Sequence, residues 1–232
     1  MFKFSRLREG VYELRFNSQY DMCMTFMRYQ EFYESPRYHD RKFTWAEFMA
    51  WYTREQSKDG TFSYMSDWGG FNIPVEVVGQ VISMGIDDPN HYDMLMMSIY
   101  KIITAECDRA YLIGVVDGGG LDRHEMTHAM YYLDDEYARK CQVVMIETDP
   151  DLIQGLREVL FAKGYTEKTL YDEIQAYLTD DSKLFKDTDR AAEFEERYNK
   201  LQDRLKAIHD QHYPNFIKDI SPHSSMDRAS VS

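Results

Sequence analysis

His124, Glu125 and His128 stand in the order His-Glu-Met-Thr-His within GGGLDRHEMTHAMYYLDDEY, residues 118–137. Residues four apart on an α-helix share a face, so both imidazoles can direct a ring nitrogen at one point. An imidazole nitrogen binds zinc at about 2.0–2.1 Å, and a catalytic zinc site uses three protein ligands and leaves a fourth position to water. A carboxylate directly after the first histidine lies beside that water, whose pKa the metal lowers toward about 7. The pattern therefore makes His124 and His128 candidate ligands of Zn2+, and Glu125 the candidate general base for attack on an amide or similar carbonyl.

A third ligand has to come from elsewhere. In an unbroken helix Asp135, seven residues past His128, would lie about 10 Å along the axis, too far for the same ion. A helix break near 133–135 is thus a condition for using Asp134, Asp135 or Glu136. The segment LDDEYARK supports such a break, because Asp134 reads as an N-cap and the following acids suit a helix start. A second helix folding back from there would present Glu136, which is the favoured third ligand. Asp134, Asp135 and Glu147 stay open, Glu147 at an element boundary in VVMIETDP.

The elements that must position these residues can be read around them. RAYLIGVV (109–116) is short, almost continuously apolar and partly β-branched, as a buried strand should be. DGGG (117–120) ends it, and a helix carrying the motif begins at about 121. Upstream, GVYELRF (10–16) reads as a strand, residues from Asp21 to Pro36 as a helix, and TWAE (44–47) as a capping box opening another. TFSYM (61–65) reads as a strand and DWGGFNIP (67–74) as an ordered loop that could line a cleft. Helices follow over roughly 74–84 and 92–106. Downstream, DDEYARKCQVVMIE, the segment from Thr148 to Gly164, residues near 167–178 and the stretch from about Thr188 to His212 all read as helices. The last has Phe194, Tyr198, Leu201, Leu205 and Ile208 as its apolar stripe, with His209 and His212 expected at the solvent. The fold class is α+β, mostly helical with two to four short strands, in a single domain over 1–220. The polar, unpatterned stretch 221–232 is expected to lie outside the fold.

With its preceding strand and glycine turn, the motif resembles the zincin group of zinc peptidases over about 30 residues. In that group the active-site helix packs under a small sheet whose edge strand holds the substrate. The resemblance implies a zincin-like fold, a zinc metallopeptidase or related zinc hydrolase, and a peptide or protein substrate. One zincin pattern places a glycine three residues after the second histidine and a ligand three beyond it. Those positions are Tyr131 and Asp134 here, so the glycine is missing, and a sharp turn without it is costly. A second pattern takes a glutamate from the following helix, which Glu136 or Glu147 could supply. The competing reading is a non-catalytic binding or structural protein in which the histidines are a remnant or a coincidence.

Composition narrows the partners. The 232 residues carry a net charge of −13, which repels phosphate backbones and disfavours nucleic acid. Cys23, Cys107 and Cys141 are widely spaced and form no CxxC, as expected of a reducing, intracellular (cytoplasmic) compartment rather than a disulfide framework. No window is apolar for long enough to span a membrane. Tyr131, Tyr132 and Tyr137 follow the motif closely and could donate to an oxyanion, although packing is the commoner role for a tyrosine. The oligomeric state is not written in the sequence.

Overall fold

The computed structural model describes residues 2–118, 123–180 and 191–218. It is 64% helical with a small mixed sheet, an α+β fold of the mostly helical kind. The chain forms two compact units that divide between residues 120 and 121, each gathering its own core. Among the described residues, no helix is long and apolar enough to cross a membrane.

The first unit holds the sheet. Strands β1 (Phe2–Arg8) and β2 (Val11–Phe16) form an antiparallel pair. The turn between them uses Gly10 at φ 76°, a conformation that costs glycine nothing. Helices α1 (Gln19–Glu34), α2 (Trp45–Glu55) and the single turn α3 (Tyr64–Asp67) lead to strand β3 (Phe71–Pro74), and α4 (Val75–Met84) and α5 (His91–Glu106) to β4 (Tyr111–Val116). The strand order is β1-β2-β4-β3, with β4 parallel to β2 and antiparallel to β3. β4 is buried along almost its whole length, which explains its unbroken apolar run. α1 crosses close to it: a Cβ on Gly114 would lie 2.5 Å from the Phe26 ring, so this strand position requires glycine.

Capping chemistry sets several helix starts in this unit. Thr44 and Glu47 form the expected capping box, and Asn90 with Asp93 forms another. Two expectations are corrected. TFSYM is not a strand: the Ser63 carbonyl accepts from the amides of Ser66 and Asp67 and winds Tyr64–Asp67 into a helical turn, with Tyr64 fully buried. The second half of DWGGFNIP is not loop but β3, whose Phe71 and Ile73 enter the core while Asn72 pairs with Ile113.

The second unit is helical throughout its described residues: α6 (Arg123–Leu133), α7 (Asp135–Ile146), α8 (Pro150–Ala162), α9 (Leu170–Thr179) and α10 (Ala191–Ile217). Within it α6 packs on α9, α7 and α10. Its core takes Met126, Ala129 and Met130 from α6, Tyr137 and Cys141 from α7, Leu170 and Ile174 from α9, and the stripe Phe194, Tyr198, Leu201 and Leu205 of α10.

Candidate metal centre

α6 carries His124 and His128 toward α9. Met126, Ala129 and Met130 are buried, and the Thr127 hydroxyl meets His209 Nε2 of α10 at 3.2 Å, so the helix is held on the sides away from the histidines. The two Nε2 atoms stand 3.2 Å apart. Two nitrogens bound to one tetrahedral ion at 2.0–2.1 Å would be separated by about 3.3 Å. The histidine spacing on the helix thus becomes a pair of ring nitrogens set for a common ion.

The third group is Glu173, in the first turn of α9. His124, His128 and Glu173 each offer a ligand atom, and these atoms lie within 4.8 Å of one another. Glu173 Oε1 is 3.7 Å from His128 Nε2. Its other oxygen, Oε2, is buried and completes no hydrogen bond among the described residues, although the Tyr165 hydroxyl is near enough to the carboxyl to favour its charged form. A buried carboxylate oxygen without a partner is costly unless something binds there. This orphaned oxygen and the facing nitrogens make the donor set, two imidazoles and one carboxylate, fit a zinc ion.

The neighbouring residue, Asp172, serves a different atom. Its Oδ1 lies 2.8 Å from His128 Nδ1, leaving Nε2 to face the centre. Carboxylates that hold the far nitrogen of a ligand histidine are a regular part of metal sites. His124 donates to the Ala176 carbonyl, packs edge-on against Tyr177 at 4.8 Å between centroids, and has Nδ1 4.0 Å from Asp180. The Tyr177 and Tyr165 hydroxyls meet at 3.1 Å. His128 and Glu173 are 2% and 3% exposed in their side chains and His124 16%, so the approach from solvent is past His124.

Burial sets the protonation of this cluster. It lowers His124 to about 3, and the charge of His128 pushes the same way. For His128 burial acts downward too, but the charges of Asp172 and Glu173 outweigh it and raise this ring well above its ordinary range. Glu173 is raised by burial, helped by the charges of Asp172 and Glu125 and opposed by that of His128. Glu125, half-buried on α6, is near enough for its charge to act on both His128 and Glu173.

The expected third ligands stand elsewhere. The helix does break after Leu133: Asp134 leaves the helical conformation at φ −103°, ψ 96° and caps α7 by accepting from the Tyr137 amide. The acids of α7 do not turn back to the histidines, however. α7 buries Tyr137, Cys141, Val144 and Met145, so Glu136, one position before Tyr137, is thrown outward. Glu136 is exposed and pairs with Lys140 at 2.8 Å. Asp134 accepts from His212 Nδ1, Asp135 is exposed in the first turn of α7, and Glu147 pairs with Arg204. None of these four joins the cluster. The sequence signal for Glu173 is an acid inside an apolar stripe, between Leu170 and Ile174 in LYDEIQAYL, about 45 residues beyond the motif.

Other expected residues also find their places. The Tyr137 hydroxyl donates to Gln175 in the core, and Tyr131 accepts from Gln142. His209 is not at the solvent: it is fully buried, because the stripe of α10 continues from Leu205 to His209 four residues on. The glycines at 119 and 120 lie outside the described residues, while Gly118 turns the chain at φ 88°. β4 belongs to the first unit, and the packing partners of the motif helix inside its own unit are helices. Compared with protein-family models, with curated proteins and with solved structures, the chain matches none.

Proposed function

We propose that the second unit binds a divalent metal ion, zinc by its donor set, on His124, His128 and Glu173, and that the protein is a zinc-dependent hydrolase of the metallopeptidase kind. The observation that carries this reading is the meeting of two facing imidazole nitrogens with a buried carboxylate whose Oε2 completes no hydrogen bond among the described residues. Zinc in that position would supply Lewis-acid polarisation of a carbonyl and an acidified water. Glu125 takes the water's proton in this scheme, and its place beside the ligands, half-buried where His128 and Glu173 are buried, suits that task. A peptide or protein is the substrate class that accords with amide hydrolysis. Three free cysteines accord with an intracellular setting.

The depth of His128 and Glu173 favours a second reading in which the ion ties α6 to α9 and does no chemistry. One pair of measurements separates the two. Zinc-reconstituted protein is assayed for bound metal and for cleavage of a mixed peptide pool, beside Glu125→Gln. The hydrolase reading expects one zinc per chain in both proteins and cleavage only in the wild type. Equal cleavage in Glu125→Gln excludes Glu125 as base. Zinc uptake without cleavage in either protein leaves the structural ion.

A further inference from the structure

Asp172 is itself held. Its Oδ1 accepts from Gln175 Nε2 at 2.9 Å as well as facing His128 Nδ1 at 2.8 Å. Gln175 Oε1 in turn accepts from the Tyr137 hydroxyl at 2.5 Å. The chain of contacts runs from α7 through α9 to α6, and Tyr137, Gln175 and His128 are all buried. Every link has one sense. The tyrosine hydroxyl donates to the amide oxygen, which turns the amide nitrogen to Asp172. The carboxylate then has only acceptor capacity to offer His128, so His128 donates from Nδ1 and turns Nε2 toward the centre, where its lone pair serves a metal once the Nε2 proton is displaced.

From this one-way chain we infer that Tyr137 and Gln175 are positioning residues for the metal centre: through Asp172 they fix the ring angle and tautomer of His128. The inference rests on the proposed metal centre and deepens it. It also gives the helix break a purpose. Because α7 restarts at Asp135, Tyr137 enters the core in the first turn of a new helix and can reach Gln175 on α9. An unbroken α6 would carry that position away along its axis. Hydrogen-bonded chains of this kind in a dry interior either act together or leave a costly unpaired group.

The test is a cycle of zinc affinities, measured by competition with a chromophoric chelator, together with the visible absorption of the Co2+-loaded protein. Tyr137→Phe removes one oxygen and keeps the ring. It is expected to weaken zinc roughly ten-fold, the lower end of what second partners of ligands contribute, and to change the Co2+ spectrum. Gln175→Met cuts the same link by a second route and is expected to behave alike, which covers the case of one variant failing to fold. In an Asp172→Ala background, neither substitution should weaken zinc further, because the chain is already cut. Equal losses in both backgrounds would mean a merely structural role and overturn the inference. So would wild-type affinity in Tyr137→Phe and Gln175→Met, with the metal centre itself left standing. A wild-type protein that takes up neither ion overturns the centre and the inference together.

Discussion

Glu173 Oε1 stands 3.7 Å from His128 Nε2, bringing a carboxylate of α9 to a histidine of α6 across 45 residues of chain. Glu136, eight residues from His128 in sequence, faces solvent and Lys140 instead. Proximity in the chain and proximity at the site therefore name different third ligands, and metal binding can tell them apart. Glu173→Gln is expected to lower zinc affinity by on the order of 100-fold or more, since losing a ligand should exceed the 10–100-fold typical of its supporting partners. Glu136→Gln is expected to leave it unchanged. Competition titration of both variants checks this, and the opposite ranking would return the site to α7.

A centre that joins α6 to α9 also has to stabilise the fold that forms it. The ligands meet only in the native second unit, so zinc binds the folded chain far better than the unfolded one. At a free concentration 100 times its dissociation constant, zinc is expected to add about 2.7 kcal/mol to the unfolding free energy. Thermal or urea unfolding with zinc and with a chelator reads the difference. His128→Ala should abolish it, and a gain that survives this substitution would place the ion elsewhere.

Much of this architecture is legible in residue order, and the exceptions have physical causes. β4 shows because a strand buried on both faces needs a continuous apolar run, and the break before α7 shows because Asp134 and the acids after it are chosen for a helix start. β3 hides because the three residues between two glycines and a helix-opening proline carry little periodicity. The histidine pair is legible because its geometry is local to one helix. Glu173 is not, because its partnership depends on how α9 packs against α6, and only an acid placed in an apolar stripe hints at it. The burial of His209 hides for the same reason: a polar ring in a buried stripe looks like the end of the stripe.

Glu31 offers a pH test outside the metal site. It is a buried acid on α1, and burial pushes its carboxyl up to about 7, only partly offset by the hydroxyls of Ser35 and Tyr64. Between its ordinary 4.5 and about 7, the folded chain keeps a proton that the unfolded chain releases. Stability from this group is therefore complete below 4.5, declines as pH rises through that window and stays low above it. Glu31→Gln removes the ionisable group, so it is expected to stabilise the protein at pH 8 by at most about 3 kcal/mol, each tenfold change in proton affinity being worth roughly 1.4 kcal/mol. Little gain is expected at pH 4.5. Melting temperatures of both proteins at the two pH values check this; an equal gain at both would point to packing rather than ionisation.

His209 should give the opposite sign. Arg123 can only donate, so its contact with His209 Nδ1 at 3.0 Å makes Nδ1 an acceptor and puts the proton on Nε2, 3.2 Å from the Thr127 hydroxyl. Tyr213 stacks on the ring, and Asp210 lies at 3.4 Å from Nδ1 on the exposed side. Burial and the Arg123 charge hold His209 below its ordinary 6.5 against the pull of Asp210. A base depressed in the folded state lets the unfolded chain bind the proton first, so stability is complete above 6.5 and is lost as pH falls below it. His209→Gln keeps a neutral donor and acceptor without the titration. Urea midpoints in chelator are expected to fall less for this variant than for the wild type between pH 7.5 and 5.5. Parallel changes would show that His209 binds its proton equally well in the folded and unfolded chain, and that the acid sensitivity of the helical unit lies with other groups.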